Sequence, residues 1–550
     1  MSKIKIFSLG GLNENGKNMY VVDVDNAIFV FDAGLKYGND NLLGIDYVIP
    51  NFDYIISNKE RVKGIFLTHG HDSNMGAIAD ILTAIPDINV YATKFTMEFV
   101  KRDLKEANVE AHNLKEIRPH AKINFDDLTI FPISVSHSIP DAVAYVLYTK
   151  DGAIVYTGDF VFDAAAPINY KMDIGKLAYV GKQGVLCLLT ESIYAGNEGH
   201  TSPHNRANKY INNILKKYKD RIIITIFEAH IYRIQELFDE IAKTKRKVVI
   251  MGKLFQETIN KAIDMKYLNF DKNQIGDLSN LNDRDVIIFV SDEKEKPFAN
   301  IERIIKGYDR YIKLKENDMV FISEPSYEGS EKIRASIMDE IAKQGVHVES
   351  LSHKTTLLHH ASSEDLMLMI NLMNPKYYFP VRGEYRHQYM NAQLAEQVGI
   401  PKNNIILKLN GEVATFIDGV LTDDKETIEI DDILIDGKSQ GDIGGLVIKD
   451  RQMLGESGIV VVTTTLSYES KKILIGPELI TRGFVFVKDN AELLEKGKKI
   501  CLDIITELIS SDIKKVDYTK IRNEIREKLG KYFYKETECR PVIITVINEI

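Results

Sequence analysis

The sequence predicts an α/β protein built from several domains, and three patterns along the chain support that prediction. Within residues 1–205, short β-rich runs alternate with helical patterns and with loops rich in Gly, Asp and His. Between residues 206 and 355 helices and strands alternate, which is typical of a doubly wound sheet. The last part, residues 448–550, combines strand-like runs with helical patterns and indicates a small α+β domain.

The first region is predicted to place its loops at the ends of apolar strands. Its β-rich runs are residues 20–24, 28–31, 62–67, 153–157 and 185–189. Leu67 ends one of these runs and residues 76–84 have a helical pattern, so the segment between them is predicted to be a strand-to-helix loop. Loops that strands hold in place are common positions for functional side chains.

The remaining regions contain further predicted strands. The central region has them at residues 222–227, 247–251, 286–290 and 319–323, and another follows at 377–381. The segment 423–447 is dense in Asp and Gly, which predicts a linker. Two strands, at residues 459–466 and 542–547, are expected in the C-terminal domain.

The composition excludes several classes of protein. A chain of 550 residues is too long to fold around a single hydrophobic core. At about 150 residues per domain, its length predicts three or four compact units. Hydrophobic residues make up 44%, as in globular proteins, and no apolar run approaches the ~20 residues that cross a bilayer. The N-terminal residues have a strand pattern rather than a signal-peptide pattern, so we expect a cytoplasmic protein without membrane contact.

Cysteine content and charge restrict the ligands that the chain can bind. Its 3 cysteines show no Cys-x-x-Cys spacing, so neither a disulfide framework nor a thiolate zinc site is supported. Any bound metal must therefore use His and carboxylate ligands. The net charge of −9 argues against general attraction to nucleic acid, but RNA binding depends on local patches and stays open.

Three imidazoles and one carboxylate form the strongest chemical pattern. His69 and His71 are two residues apart directly after a predicted strand, where alternate side chains share a face and can point at one metal. A His-x-His pair alone is weak evidence, because structural histidines also occur in such pairs. His137 and Asp159 strengthen it, since each follows another β-rich run, and the four together are a plausible set of zinc ligands.

The order and context of these motifs resemble the metallo-β-lactamase fold, and the remainder resembles the ribonuclease J family of the β-CASP group. The resemblance covers essentially the whole chain, with further matching segments at residues 9–11, 32–34, 233–235, 380–386, 481–485 and 540–543. It implies an αββα sandwich made of residues 1–205 and 356–422, with a β-CASP α/β domain inserted at 206–355. After the linker at 423–447, it implies a small α+β C-terminal domain at 448–550.

The resemblance also implies that the ligands of one metal have been lost together. The family motif H-x-H-x-D-H has Ser73 and Asn74 here in place of Asp and His, and Arg382 replaces the last His ligand. In the family these three positions serve the second metal, whereas His69, His71, His137 and Asp159 serve the first. We therefore expect zero or one zinc ion per chain, with manganese as an alternative ion.

Two interpretations of Arg382 follow from the sequence. In the first, its guanidinium fills the vacated space and forks the carboxylate of Asp159, which leaves the charge of the pocket unchanged. In the second, it is a surface arginine in a loop whose sequence has diverged from that of the family. Asp72, next to the lost position, is a further candidate ligand, although a shift by one residue redirects a side chain.

Other family features are partly retained. Glu191 stands where the family has an acidic residue, although a surface carboxylate is an equal alternative, and His360 remains from a phosphate-holding H-x-S-G-H motif in which Leu358 replaces the hydroxyl. Both are candidate catalytic residues. The acidic segment 291–296 replaces an expected Gly-rich phosphate loop. We expect three other histidines, His230, His353 and His359, to be structural or exposed.

The function implied by the resemblance is that of a ribonuclease J paralogue of the second, partner type. Such a protein acts in RNA maturation and decay, including rRNA processing and mRNA turnover, with weak or no nuclease activity, as the partner of an active paralogue. Alone it is expected to form a homodimer. The alternative is a slow one-metal 5′–3′ exo- or endoribonuclease; a small-molecule hydrolase would leave the inserted and C-terminal domains unexplained.

Overall fold

The structure is a computed structural model. It describes residues 2–37, 45–201, 206–291, 298–324, 330–352, 360–436, 445–485, 490–510 and 516–550. Segment 292–296, which replaces the expected phosphate loop, lies outside these residues, as do segment 356–359 of the altered phosphate-holding motif and the histidines His353 and His359. The first compact unit contains Val48–Ile433 and the residues up to Tyr37, and the second contains Leu434–Ile550 together with Gly38–Tyr47.

Two sheets form the sandwich of the first unit. The strands up to residue 190 are β1 (Lys3–Gly10), β2 (Met19–Val24), β3 (Ala27–Phe31), β4 (Lys36–Tyr37), β5 (Tyr47–Ile49), β6 (Val62–Phe66), β7 (Val90–Thr93), β8 (Leu114–Ile117), β9 (Ile123–Phe125), β10 (Leu128–Ser134), β11 (Val143–Thr149), β12 (Gly152–Tyr156) and β13 (Val185–Thr190). The helices among them are α1 (Asp53–Ser57), α2 (Asp72–Met75), α3 (Ile78–Ala84), α4 (Lys94–Ala107) and α5 (Ile174–Gln183). The predicted strands are present, but the helix α2 occupies the second half of the segment that was predicted to be a strand-to-helix loop.

A parallel five-stranded sheet forms the inserted region. Its elements are α6 (Asn208–Lys217), β14 (Ile222–Thr225), α7 (Ile231–Ile241), β15 (Val248–Met251), α8 (Lys253–Asp264), β16 (Ile287–Val290), α9 (Ala299–Ile305), β17 (Met319–Ile322), α10 (Glu331–Lys343) and β18 (His347–Ser350). The strand order is β15-β16-β14-β17-β18, so β14 lies at the centre. The chain therefore adds strands on one side of β14 and then on the other, as in doubly wound sheets.

The chain then returns to the sandwich. The returning elements are α11 (Ser363–Met373), β19 (Tyr377–Pro380), α12 (Tyr385–Gln397), β20 (Ala414–Ile417) and β21 (Val420–Leu421), and β22 (Ile433–Ile435) follows them outside the two sheets. Strand β19 pairs in parallel with β13, and β20 pairs with β1 at the edge of the other sheet. The complete sheets have the orders β21-β20-β1-β2-β3-β6-β7-β8 and β19-β13-β12-β11-β10-β9.

Aromatic side chains fill the space between the two sheets. The rings of Phe31, Phe66, Tyr145 and Tyr156 are buried there and pack with centroid distances between 5.7 and 6.0 Å. Burial of such rings removes large apolar areas from water, which is the main source of stability for a layered fold. This core anchors the strand ends from which the chemically active loops project.

The second unit is a small α+β domain. Its elements are α13 (Gly445–Ser457), β23 (Ile459–Leu466), β24 (Ile473–Arg482), α14 (Ala491–Ser510), α15 (Tyr518–Thr537) and β25 (Val542–Glu549). Alternate residues of β23 are buried, so one face of the sheet packs on a core that includes Ile505, Ile525 and Phe533. Both predicted strands of this domain are present, whereas the predicted domain boundaries stay predictions. Among the described residues, no helix has the length and apolar run needed to cross a membrane.

Candidate metal centre

The candidate site lies where parallel strands of both sheets end. Asp159, Glu191 and Arg382 follow the neighbouring parallel strands β12, β13 and β19. On the other sheet, Asp32 and His69 follow the neighbouring parallel strands β3 and β6. Side chains from distant parts of the sequence therefore meet at one edge, as is common for sites in α/β proteins.

The carboxylate of Asp32 holds the histidine-bearing loop in place. It accepts hydrogen bonds from the backbone amide of Thr68 at 2.7 Å and from its hydroxyl at 2.9 Å. It also accepts from the side-chain amide of Asn74 at 2.7 Å and from the hydroxyl of Tyr156 at 2.8 Å. Burial raises the pKa of Asp32 to about 6, which these donors partly offset. The loop is thus tied to the sheet at both of its ends.

Gly34 explains why residues 32–34, one of the short segments that resemble the family, belong to the site. A Cβ atom at this position would lie 1.7 Å from the carbonyl oxygen of Ser73. The backbone amide of Gly34 also donates to the carbonyl of Asn18 at 2.9 Å. Only glycine permits this close approach between the two loops.

Four side chains converge in the arrangement that the sequence predicts. Nδ1 of His71 lies 3.1 Å from Nε2 of His69 and 3.2 Å from Nε2 of His137. Oδ2 of Asp159 lies 3.4 Å from Nε2 of His69 and 3.8 Å from Nε2 of His137. The four ligand atoms lie within 4.8 Å of one another.

This cluster fits a metal ion. A tetrahedral zinc ion with bonds of about 2.0–2.1 Å separates its donor atoms by about 3.3 Å, close to the distances found here. Burial lowers the pKa of His69 and of His71 well below the usual value, so both imidazoles are neutral and have a lone pair for a metal. Oδ1 of Asp159 is a buried acceptor without a hydrogen-bond partner among the described residues. A bound ion would supply Lewis-acid stabilisation of negative charge on a phosphoryl group.

The outward nitrogens of two imidazoles also have polar neighbours. Nδ1 of His69 lies 2.9 Å from the hydroxyl of Thr68, and Nε2 of His71 lies 3.3 Å from the hydroxyl of Ser138. Contacts of this kind set the orientation and tautomer of metal-binding histidines. Neither Thr68 nor Ser138 is among the residues predicted from the sequence, although each is adjacent in sequence to a predicted ligand.

Arg382 donates to the same oxygen of Asp159 that lies nearest the histidines. Its side chain is buried, with 5% of the residue surface exposed, which excludes the surface-arginine interpretation. Nη1 donates to Oδ2 of Asp159 and, at 3.2 Å, to Oδ1 of Asn74. Nη2 donates to the hydroxyl of Ser73 at 3.2 Å. The predicted pairing with Asp159 is confirmed, but the predicted two-nitrogen fork is wrong, because the second nitrogen contacts Ser73 instead.

The three positions at which the resemblance implies lost metal ligands therefore contact one another. The hydroxyl of Ser73 donates to Oδ1 of Asn74 at 2.7 Å, and the amide of Asn74 reaches Asp32. One guanidinium joins both residues to Asp159. The substitutions thus form a continuous hydrogen-bonded cluster, with neutral oxygen acceptors and a single cation.

Asp72 does not take over the role of the lost ligand. Its carboxylate accepts a hydrogen bond from the hydroxyl of Tyr37, and Asp72 is absent from the clusters of potential metal ligands among the described residues. As expected for a shift by one residue, the side chain points to a different partner.

Glu191 and His360 form a pair beside the cluster. Oε1 of Glu191 accepts from the backbone amides of Phe160 at 2.9 Å and Ala361 at 3.2 Å. Oε2 lies 2.5 Å from Nδ1 of His360, and ligand atoms of both residues lie within 4.8 Å of Asp159. Glu191 is only 1% exposed, so the alternative of a surface carboxylate is wrong. The pair can hold a proton at Nε2 of His360.

His230 is structural, as the sequence analysis expects. Its Nδ1 lies 2.7 Å from Oε1 of Glu324, and both residues are buried. The two are separated by 94 residues, so no local sequence signal indicates the pair.

Comparison with known families matches most of the chain to four domain models. Residues 31–177 match the beta-lactamase superfamily domain, and residues 219–341 match the ribonuclease J beta-CASP domain. Residues 352–407 match the Zn-dependent metallo-hydrolase RNA specificity domain, and residues 446–550 match the ribonuclease J C-terminal domain. The predicted fold class is therefore confirmed.

Relatives of similar length and one solved structure agree with these matches. Ribonuclease J2 of Bacillus subtilis (strain 168) is 35% identical over 552 residues, which span 100% of this chain and 99% of that protein. Ribonuclease J 2 of Staphylococcus aureus (strain MRSA252) is 33% identical over 557 residues, spanning 100% and 98%. A protein of unknown function from Enterococcus faecalis V583 shares the fold, with a TM-score of 0.52 and 15% identity, covering 75% of this chain and 100% of its own. The chain belongs to the ribonuclease J family and is of its second-paralogue type.

Proposed function

We propose that this protein binds RNA as a ribonuclease J paralogue with weak or no nuclease activity and acts as the partner of an active paralogue. One observation carries the proposal: Arg382 is buried in contact with Asp159, Ser73 and Asn74, at the positions that serve a second metal in the family. Its roles would lie in RNA maturation and decay, including rRNA processing and mRNA turnover.

The proposal depends on which positive charges of the site can contact the oxygens of a phosphodiester. Two metal ions can stabilise both the attacking and the leaving oxygen of a displacement. Here His69, His71, His137 and Asp159 form one group of ligand atoms that could hold a single ion. Both terminal nitrogens of Arg382 already donate to protein acceptors, so its charge balances Asp159 rather than a substrate oxygen.

The family matches support RNA as the ligand. The domain description for residues 352–407 names RNA specificity, and the relatives are named as ribonucleases. These names make RNA the first substrate class to test on this chain.

The first experiment combines metal analysis with a nuclease assay. We expect elemental analysis of the purified protein to give no more than one zinc or manganese ion per chain. We also expect 5′-monophosphorylated RNA to bind while its cleavage stays near the background of the His69→Ala variant. Two ions per chain, or rapid cleavage that requires His69, would overturn the proposal.

Mixing the purified chain with an active ribonuclease J paralogue tests the partner role. Alone, the chain is expected to sediment as a homodimer, and with an active ribonuclease J paralogue it is expected to form a heteromer at micromolar concentration. Deletion of residues 446–550, which match the family's C-terminal domain, is the matched control that should weaken assembly. If no heteromer forms with the full chain, the partner role is wrong.

A slow one-metal 5′–3′ exo- or endoribonuclease is the second candidate. The contact of 2.5 Å between Glu191 and His360 favours it, because this pair can still move a proton beside the cluster. Residual activity should then fall in both the His360→Ala and the His69→Ala variants. His120→Ala is the matched control, since His120 pairs with Asp173 and is 36% exposed in its side chain. Residual cleavage that survives both site substitutions would exclude this candidate.

A further inference from the structure

The loop between β14 and α7 of the inserted domain contacts a histidine of the candidate metal centre. The ring of His71 donates a hydrogen bond to the backbone carbonyl of Ala229. Nδ1 of His71 faces Nε2 of His69 and Nε2 of His137, so the donating atom is Nε2. A side chain of the sandwich therefore depends on the backbone of the inserted domain for one of its hydrogen bonds.

The same segment also holds Ser138, the other polar neighbour of this nitrogen. The hydroxyl of Ser138 lies 3.3 Å from Nε2 of His71. The backbone amide of Tyr232 donates to the carbonyl of Ser138 at 3.0 Å, and the ring of Tyr232 packs against that of Tyr170 with centroids 5.2 Å apart. Ala229 and Tyr232 thus fix both groups that surround Nε2 of His71.

These contacts select one tautomer of His71. Burial lowers the pKa of this imidazole well below the usual value, so the ring is neutral and only one of its nitrogens carries a hydrogen. A hydrogen on Nε2 leaves the lone pair on Nδ1, which is the nitrogen that faces His69 and His137. The opposite tautomer would turn an N–H group toward a bound ion. The backbone of the inserted domain therefore favours the form of His71 that can bind a metal.

Arg102 on α4 joins this loop to the sandwich. Its Nη1 donates to Oε1 of Glu228 at 2.5 Å, and it also interacts electrostatically with Asp72. The side chains of Arg102 and Glu228 are 16% and 6% exposed, so water shields this ion pair only weakly. One guanidinium thus connects the residue before Ala229 with the residue after His71.

Helix α8 and the residues after it add further contacts with the sandwich. The hydroxyl of Thr258 lies 3.4 Å from Nη1 of Arg102, and the hydroxyl of Tyr267 donates to the carboxylate of Asp141. The ring of Tyr267 also packs on that of Phe95, with centroids 4.9 Å apart. Because Arg102 contacts both α8 and the β14–α7 loop, its substitution is expected to loosen the docking of the inserted domain.

We propose that the inserted domain is a positioning element of the metal centre, so that its docking on the sandwich and zinc binding by the histidine cluster favour each other. The backbone of residues 229–232 holds the metal-binding tautomer of His71 while the domain is docked. Because the coupling between two equilibria is reciprocal, a bound ion should strengthen docking by the factor by which docking strengthens zinc binding. The inference goes beyond the proposed function, since it concerns zinc affinity and not RNA.

Zinc affinity of the full chain, measured by competition with a chromophoric chelator, tests the inference. We expect Arg102→Met to weaken zinc binding by about tenfold, because loosened docking removes a hydrogen-bond partner of a metal ligand. Arg102→Lys keeps a positive charge opposite Glu228 and should recover most of the affinity.

Arg221→Met is the matched control. Arg221 is buried and donates from Nε to Asp318 at 2.8 Å, directly before β14 and so at the opposite end of that strand from the loop. This variant should lower stability and leave zinc affinity unchanged. If Arg102→Met binds zinc as tightly as the wild type, or if Arg221→Met weakens binding equally, the inference is wrong.

Hydrogen exchange of the wild-type chain is a second measurement, which does not depend on the folding of any variant. At saturating zinc, exchange of the Tyr232 amide should slow by about tenfold, while the amides of α10 report general stabilisation. Equal slowing at both places contradicts the inference. So does a wild-type chain that binds no zinc, although the proposed function allows an empty site and would stand. Rapid RNA cleavage that requires His69 would contradict the proposed function alone.

Discussion

The two halves of the candidate metal centre differ although one loop serves both. On one side His69 and His71 point at His137 and Asp159, with donor atoms 3.1 to 3.8 Å apart. On the other side Ser73 and Asn74, in the short helix α2 that follows His71, contact the guanidinium of Arg382. The comparison teaches that donor geometry suited to a metal can lie directly beside a hydrogen-bonded cluster around an arginine.

Electrostatics explains why the replacement is tolerated. The imidazoles of His69 and His71 are neutral in the fold, since burial lowers the pKa of each. Asp159 is therefore a buried carboxylate that needs a cation, and Arg382 provides one without any ion from solution. The charge of the histidine half would change on binding a metal ion, whereas Arg382 brings its own positive charge.

The largest expected effect comes from breaking the arginine half. Arg382→Met should lower the free energy of unfolding of the metal-free protein by about 3–5 kcal/mol, because it leaves Asp159 buried and unpaired. Urea denaturation measures the change. The double variant Arg382→Met, Asp159→Asn should recover most of the loss.

A matched arginine controls for general effects of the substitution. Arg386 pairs with Glu384 at 3.0 Å, and both side chains are more than half exposed. Arg386→Met should therefore change stability by no more than about 1 kcal/mol. Equal losses for the two arginines would contradict the idea that Arg382 stabilises a buried charge.

Rebuilding the missing half is expected to have the next largest effect. The triple variant Ser73→Asp, Asn74→His, Arg382→His should bind a second ion and cleave RNA about a hundredfold faster than the wild type, because a second ion stabilises the transition state. Elemental analysis and single-turnover cleavage measure the two results. Arg382→His alone is the control, and we expect neither change from it. A triple variant that holds two ions but gains no activity would contradict the idea that the proposed low activity is due to a missing second ion.

The sequence predicted the histidine half more fully than the arginine half. His69, His137 and Asp159 each follow a β-rich run, and strand ends are recognisable from hydrophobic pattern alone. The partners of Arg382 depend on β19 returning beside β13, so that Ser73 and Arg382 meet across 309 residues of sequence. No local pattern encodes which nitrogen of the guanidinium reaches which oxygen.

The same limit applies to the inserted domain. Alternating helices and strands predicted its parallel sheet, since that alternation follows from local propensity and periodicity. The pairing of His230 with Glu324 depends on β14 and β17 becoming neighbours, which is set by the topology of the whole sheet. Tertiary pairing across distant segments is therefore where prediction from the sequence ends.

Zinc binding to the histidine half of the site should stabilise the folded protein. At a zinc concentration of about 100 times the dissociation constant, we expect the free energy of unfolding to rise by about 2.7 kcal/mol, because the ion binds only the folded state. Thermal unfolding with zinc and with a chelator measures this. His69→Ala should abolish the zinc effect. If zinc stabilises the His69→Ala variant as much as the wild type, the ion binds elsewhere.

The smallest expected effects come from two serines, one in each half of the site. The hydroxyl of Ser73 donates a hydrogen bond to Asn74 and accepts one from Arg382. Ser73→Ala should therefore lower the free energy of unfolding by about 1 kcal/mol and leave the zinc affinity unchanged. Ser138 lies 3.3 Å from Nε2 of His71, so Ser138→Ala should weaken zinc binding by about tenfold with little effect on stability. Competition with a zinc chelator and urea denaturation measure the two quantities for both variants. If each serine changes both quantities equally, the two halves are one coupled unit rather than a metal site beside a substitute for one.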